Sequence, residues 1–128
     1  MKTIIVSKQI RGKGRGKTLG FPTINLKIPS NFTLAEGVYG VWVTINKKRL
    51  LGALHFGPVP TFHEKKKNLE VFLIDAGKII LPAKLAHQVI VEVIKKIRGI
   101  KTFSSADGLI SQISQDVDVI RKLFSHLH

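Results

Sequence analysis

Hydrophobic residues along this chain fall into short runs, followed near the end by a longer segment with a different period. The runs are rich in β-branched and aromatic residues and are separated by polar or glycine-containing segments, a pattern typical of β-strands. The last run fits more than one period, and its Val and Ile content favours a strand. We therefore expect about six strands, drawn from residues 3–6, 23–28, 37–45, 50–57, 68–75, 78–82 and 85–97, with turns at 46–49 and Ala76-Gly77.

The end of the chain is predicted to be an amphipathic helix, because its apolar residues recur every three or four positions. Ser104 and Asp107 resemble a capping box in which Asp replaces the usual Glu or Gln. Short strands followed by one helix predict a small closed antiparallel barrel plugged or flanked by that helix. The periodic positions are Leu109, Ile113, Val117, Ile120, Phe124 and Leu127.

Length and composition narrow the class of protein. The 128 residues suit one domain, spanning 1–128. Cysteine is absent, so disulfides and thiolate metal sites are excluded and a cytoplasmic location is the default expectation. No apolar run is long enough for a signal peptide or a membrane span. The net charge of +13 attracts polyanions, and charge alone does not rank nucleic acid, anionic membrane and nucleotide phosphate as partners.

A glycine-rich basic segment lies between the first two predicted strands. Glycines leave backbone N–H groups free to converge on an anion, and the neighbouring cations favour a phosphate. Pro22 prevents a helix from following Gly16-Lys17-Thr18, so the segment is not a Walker A loop. A flexible basic turn is the alternative. The segment contains Gly12, Gly14, Gly16 and Gly20 among Arg11, Lys13, Arg15 and Lys17.

Two polar residues follow this segment on the next predicted strand. Thr23 and Asn25 alternate with apolar neighbours, so they should point to one side, roughly 7 Å apart. Their oxygens are hard ligands of the kind that Mg²⁺ accepts together with water and nucleotide phosphates. On a strand such residues more often face solvent, and their place directly after an anion-binding segment is what favours a metal site.

Glu70 is the acid with the most apolar surroundings, on a predicted strand between Leu69 and Val71. A carboxylate on an apolar face is costly unless a partner or a function retains it. The alternative is an ion pair with a lysine. The remaining aspartates, Asp75, Asp107, Asp116 and Asp118, are expected in turns, caps or solvated helix positions, and the histidines are expected to be structural.

The run from Gly12 to Asn25 resembles the nucleotide loop and PTxN motif of the ATP-dependent riboflavin kinase family. The resemblance implies a six-stranded antiparallel Greek-key barrel with a C-terminal helix. It also implies that Thr23 and Asn25 hold Mg²⁺ and phosphates, that Glu70 is the catalytic base and that Arg98 and Phe103 lie on the flavin side. Gly12, Gly14, Gly16 and Lys17 would form the ATP site. Further matches follow in the family's order: Gly37–Val41, Gly57 with Pro60-Thr61-Phe62, Leu69–Val71, Arg98 with Phe103, and Leu109 with Gln112, Ile113 and Asp116.

The expected function is therefore transfer of the ATP γ-phosphate to the ribityl 5'-hydroxyl of riboflavin, giving FMN and ADP. We expect a monomer that acts without a membrane and has no room for the adenylyltransferase half found in bifunctional relatives. The family usually has other residues at His55, Val59 and Phe72, and a different segment at 75–82. Two alternatives stay open: a basic barrel that binds nucleic acid, and a flavin- or nucleotide-binding barrel without turnover.

Overall fold

The computed structural model describes residues 3–11, 21–58, 66–75 and 85–125. Within these ranges the chain is mainly β-structure with one C-terminal helix. The predicted strand 78–82 and the turn at Ala76-Gly77 lie outside the described residues. The elements are β1 (Thr3–Ser7), β2 (Gln9–Ile10), β3 (Thr23–Leu26), β4 (Gly37–Ile45), β5 (Lys48–Pro58), β6 (Lys67–Ile74), β7 (Val89–Arg98) and α1 (Ala106–Ser125).

The strands form one antiparallel sheet with the order β1-β7-β4-β5-β6-β3-β2. The edge strands β1 and β2 are separated in sequence only by Lys8, so the sheet must curl to bring its two edges together. Lys27 N donates a hydrogen bond to Lys8 O (3.1 Å), and Gln9 N donates to Ala86 O (2.9 Å). The predicted six-stranded closed Greek-key barrel is therefore corrected to a curled seven-stranded half-barrel, because β1 and the unpredicted β2 form the two edges of the sheet and do not pair with each other.

The β4–β5 hairpin has a tighter turn than the sequence predicted. Asn46 and Lys47 adopt positive φ angles of 50° and 66°, and β5 already begins at Lys48. Two left-handed central residues match a type I′ turn, whose twist suits the flanking strands. The two-residue turn fixes the register of the longest pair of strands.

The two faces of the sheet carry two apolar clusters. The inner cluster contains the alternate residues Val41, Val43, Leu54, Val71 and Val91, together with their neighbours on the concave face. The outer cluster joins the opposite face of β5 and β6 to the apolar stripe of α1. The helix lies close to the sheet at Gly40, where an added Cβ would lie 2.9 Å from Phe124 Cε1.

The predicted helix is present, with a different cap. Helix α1 begins at Ala106, and Ser105 Oγ accepts a hydrogen bond from Gly108 N (3.2 Å). The capping hydroxyl is therefore that of Ser105 rather than Ser104, because the helix starts one residue later than the capping-box spacing implied. The apolar stripe from Leu109 to Phe124 is buried as expected.

No helix among the described residues is both long and apolar enough to cross a membrane.

Candidate active site

Polar residues from four strands line up across the outer face of the sheet. Asn25 of β3 is paired with Glu70 of β6, and Glu70 is paired with His55 of β5. Val38 of β4 is the partner both of His55 and of Arg98 on β7. Residues directly opposite each other in a sheet point to the same face. Asn25, Glu70, His55 and Arg98 therefore form one line, which we call the polar row.

The β3 end of the polar row carries the predicted metal ligands. Thr23 and Asn25 are half-buried and alternate with the buried Ile24 and Leu26, so they share the outer face as the alternation predicted. Thr23 Oγ1 donates a hydrogen bond to Phe21 O (3.1 Å), which leaves its lone pairs available to a ligand. A hydroxyl and an amide oxygen on one face are a donor set that suits a hard cation such as Mg²⁺.

A metal at this end would rely on these oxygens and on its substrate. Among the residues that the structure describes, no group of three or more His, Cys, Asp and Glu residues is arranged to hold a metal ion. Mg²⁺ commonly binds through one or two protein ligands plus water and phosphate oxygens. The donor set of Thr23 and Asn25 fits that mode of binding.

The residues that follow the glycine-rich segment join the sheet beside this end. Gly12, Gly14, Gly16 and Lys17 lie outside the described residues, so their predicted role in binding ATP stays a prediction. The chain re-enters the sheet at Pro22, whose carbonyl oxygen accepts a hydrogen bond from Leu73 N (2.8 Å). This bond places Pro22 against β6, the strand that carries Glu70.

Glu70 lies in the middle of the polar row. Its neighbours Leu69 and Val71 point into the inner core, which directs the half-buried Glu70 side chain to the outer face. Asn25 lies opposite it on one neighbouring strand and His55 on the other. Directly opposite residues have Cβ atoms about 5 Å apart, so the carboxylate lies within reach of a ligand held by Asn25.

The α1 end of the polar row is an ion pair. Arg98 Nε donates to both carboxylate oxygens of Asp116 (3.0 and 3.1 Å), and Arg98 Nη2 donates to Asp116 Oδ2 (2.9 Å). Gln112 Nε2 donates to Asp116 Oδ1 (3.0 Å), and Arg98 Nη1 donates to Gly99 O (3.0 Å). Arg98, predicted to lie on the flavin side, thus connects β7 to the helix.

Asp116 does not lie in the turn, cap or solvated helix position predicted for it. Its side chain is 5% exposed, rather than solvated, and the Arg98 side chain is 12% exposed. The signal was present in the helical period, because position 116 lies three residues after Ile113 and four before Ile120, within the apolar stripe. An acid at such a position needs a buried cation, and Arg98 supplies it.

Phe103, the second predicted flavin-side residue, lies just before α1. It is half-buried and packs against the outer cluster, and an added Cβ at Gly108 would lie 3.5 Å from Phe103 Cδ1. Phe103 therefore contacts the start of the helix whose later turns carry Gln112 and Asp116. Trp42 and Phe72 belong to the same outer cluster, and Trp42 stacks edge-on against Phe124 with ring centroids 5.1 Å apart.

His55 is the residue of the polar row that sequence reasoning did not assign to the site. It is 8% exposed, and its Nε2 atom has no hydrogen-bond partner among the described residues. The pKa of His55 is lowered to about 4, mainly by burial and also by positive Arg98, while Asp116 opposes the shift. The imidazole is therefore neutral at physiological pH.

Comparison with known proteins identifies the family. Residues 2–124 match the family model Flavokinase, described as riboflavin kinase. The chain therefore belongs to the riboflavin kinase family. It is 36% identical over 123 residues to the RNA-binding riboflavin kinase RibR of Bacillus subtilis, covering 95% of this chain and 51% of that protein. It is also 36% identical over 124 residues to the bifunctional riboflavin kinase/FMN adenylyltransferase of Buchnera aphidicola, covering 94% of this chain and 38% of that enzyme.

Other relatives show the same partial coverage. The bifunctional riboflavin kinase/FMN adenylyltransferase of Escherichia coli is 33% identical over 121 residues, which is 94% of this chain and 37% of that enzyme. The crystal structure of a macrolide-efflux protein from Streptococcus pneumoniae superposes with a TM-score of 0.75 at 29% identity, covering 92% of this chain and 38% of that one. The chain thus spans about half or less of the length of these relatives.

Proposed function

We propose that this chain is an ATP-dependent riboflavin kinase that transfers the γ-phosphate of ATP to the ribityl 5'-hydroxyl of riboflavin. The observation that carries the proposal is the pairing of Asn25 with Glu70 across β3 and β6 in a chain of the riboflavin kinase family. This pairing puts an oxygen ligand suited to Mg²⁺ and a carboxylate suited to a proton side by side on one face.

The chemistry assigned to these residues is a direct phosphoryl transfer. Glu70 accepts the proton of the 5'-hydroxyl while the hydroxyl oxygen forms a bond to the γ-phosphorus. The bond between that phosphorus and the β,γ-bridging oxygen breaks, and ADP leaves with the electron pair. Thr23 and Asn25 would hold Mg²⁺, which supplies positive charge against the phosphate oxygens when it is bound.

The remaining parts of the proposal concern the chain as a whole. Gly12, Gly14, Gly16 and Lys17 would bind the nucleotide phosphates through backbone N–H groups and a cation. Residues 1–128 would act as one kinase domain, as a monomer and in the cytoplasm, where the absence of cysteine is no disadvantage. Riboflavin and ATP are the proposed substrates, and FMN and ADP the products.

Nucleic-acid binding is a second candidate function, favoured by two observations. The relative from Bacillus subtilis is named as an RNA-binding riboflavin kinase, and this chain has a net charge of +13. The match covers 51% of that relative, so the RNA-binding part need not be the part shared with this chain. The pairing of Asn25 with Glu70 supports phosphoryl transfer more directly than the net charge supports RNA binding.

The reaction is tested by incubating the protein with riboflavin, ATP and Mg²⁺ and separating FMN by chromatography. Glu70→Gln should lower kcat by about 10² to 10⁴-fold, because it removes the proton acceptor and keeps the shape. ATP affinity and the thermal midpoint should change little.

Glu92→Gln is the matched control, since Glu92 also lies on a strand and pairs with Arg49 (3.6 Å) instead of lying in the polar row. An unchanged rate in Glu70→Gln would remove Glu70 from the mechanism. No FMN, together with RNA binding that weakens steeply with salt, would favour the second candidate. Flavin or nucleotide binding without FMN would identify a barrel that has lost turnover.

A further inference from the structure

His55 Nε2 is a buried hydrogen-bonding atom whose partner the described protein does not supply. The residue is 8% exposed, and Nε2 stands alone among the buried side-chain nitrogen and oxygen atoms of the described residues in lacking a hydrogen bond. Buried polar atoms are nearly always hydrogen-bonded, so an orphaned one calls for a ligand, a water or a functional reason. Its location narrows these possibilities.

His55 lies next to the candidate base, on the side away from the metal ligands. Along the polar row Asn25 is on one side of Glu70 and His55 is on the other. If ATP and Mg²⁺ bind at Asn25, the acceptor must approach Glu70 from elsewhere along the row. The next positions in that direction are His55 and then the Arg98 ion pair, which ties the sheet to α1.

Charge determines what kind of group His55 can bind. Arg98 lowers the pKa of His55 and burial lowers it more, so the ring is uncharged and suits a neutral ligand better than a phosphate. Asp116 and Glu36 act in the opposite direction and do not overcome these effects. A neutral Nε2 donates or accepts one hydrogen bond according to its tautomer, and an alcohol hydroxyl complements either form.

We propose that His55 Nε2 binds a secondary hydroxyl of the acceptor's polyol chain and thereby selects a hydroxylated acceptor for phosphorylation at the chain's end. The proposal rests on the proposed kinase function. Because Nε2 is covered by protein in this conformation, the hydroxyl replaces the covering contact when the acceptor binds. His55 is then a specificity residue beside Glu70, and it takes no part in moving the proton.

The test compares two acceptors and several variants of the full chain. The acceptors are riboflavin and a flavin with a 5-hydroxypentyl chain, which keeps the terminal hydroxyl and lacks the secondary ones. Affinity is measured by titration calorimetry, and phosphorylation by chromatography. His55→Leu removes the hydrogen bond, His55→Asn keeps a donor and an acceptor, and His87→Leu makes the same change at an exposed histidine.

We expect wild type to prefer riboflavin, and His55→Leu to weaken riboflavin binding by about tenfold while leaving the analogue nearly unchanged. His55→Asn should retain most of the preference, and His87→Leu all of it. If the role of His55 were purely structural, His55→Leu would weaken the binding of both acceptors equally. His55→Met is a second apolar replacement that fills the space flexibly if the leucine variant does not fold.

Three results would overturn the proposal: equal binding of both acceptors by wild type, equal weakening of both in His55→Leu, or no weakening of either. Flavin binding with the expected preference but without FMN would contradict the proposed reaction and leave the role of His55 supported. Absence of flavin binding altogether would contradict both.

Discussion

The two ends of the polar row use their polar groups in opposite ways. At the α1 end, the side chains of Arg98 and Asp116 are 12% and 5% exposed and are bound to each other. At the β3 end, Thr23 and Asn25 are half-buried, and the described bond of Thr23 uses only its hydroxyl hydrogen. Buried charges must be satisfied within the protein, whereas half-exposed oxygens remain able to meet a ligand.

This difference predicts that one end contributes mainly to stability and the other to ligand binding. Arg98 and Asp116 join β7 to α1, and loss of either side chain should lower the free energy of unfolding. Among the described residues no side-chain bond of Thr23 or Asn25 joins distant elements, and their loss should affect the nucleotide and its metal instead. Variants at the two ends test this division.

The largest effect is expected at the buried ion pair. Asp116→Leu should lower the free energy of unfolding by about 3 to 5 kcal/mol, because Arg98 is left buried without a counter-charge. Urea unfolding measures the change. The double variant Arg98→Met/Asp116→Leu should recover most of the loss, since both charges are then absent. Asp118→Leu, on the exposed face of the same helix, is the control, and an equal loss there would mean that the ion pair is not the cause.

His55, between the two ends, should make stability depend on pH. Its pKa is about 4 in the folded protein and 6.5 ordinarily, so between these values the unfolded chain binds a proton that the folded protein does not. The contribution of neutral His55 to the free energy of unfolding should be fully present above pH 6.5. It should fall by about 3 kcal/mol as the pH is lowered towards 4, with no further loss from His55 below that. Urea unfolding at pH 7 and pH 4.5 measures the loss. His55→Asn should reduce it, and identical pH profiles would refute the assignment.

The β3 end should respond through the metal requirement. Asn25→Ala should raise the Mg²⁺ concentration needed for half-maximal FMN formation by about tenfold, or about 1.4 kcal/mol, because one oxygen ligand is lost. The thermal midpoint should move little, since Asn25 is half-buried. Asn68→Ala is the control, because Asn68 Nδ2 donates to Lys66 O (3.2 Å) outside the polar row. A large fall in stability with an unchanged Mg²⁺ requirement would reverse the division between the ends.

The smallest effect is expected at an exposed pair of the same chemistry. Arg121 binds Asp75 through Nη2 (2.6 Å) and Nε (3.1 Å), but the two side chains are 46% and 59% exposed. Arg121→Ala should therefore change the free energy of unfolding by less than about 1 kcal/mol, and less still in high salt. A loss similar to that of Asp116→Leu would show that burial does not explain the difference between the two pairs.

Much of this architecture was predictable from local patterns. The strands around 37–45, 50–57 and 68–75 and the helix with its apolar stripe were confirmed with small shifts in their ends. Alternation also predicted that Thr23 and Asn25 share a face. Strand β2 was not predicted, because Gln9 and Ile10 form a strand only by pairing with β3, whereas the adjacent β1 pairs with β7.

The candidate site divides in the same way. Glu70 and Asn25 were chosen from their own surroundings and from family motifs. Their pairing requires β3 and β6 to be adjacent in the sheet, although β4 and β5 lie between them in the chain. The place of His55 beside Glu70, and of Asp116 beside Arg98, depends likewise on strand order and helix packing.

Local sequence patterns are enough to identify the strand and helix segments, the residues that face the core, and a basic glycine-rich segment followed by two residues with side-chain oxygens. Which polar residues lie next to each other follows only from the folded structure: Asn25 with Glu70, Glu70 with His55, and Arg98 with Asp116. The physical reason is that side-chain periodicity reports the face on which a residue lies, whereas strand order and register arise from packing between segments far apart in the chain.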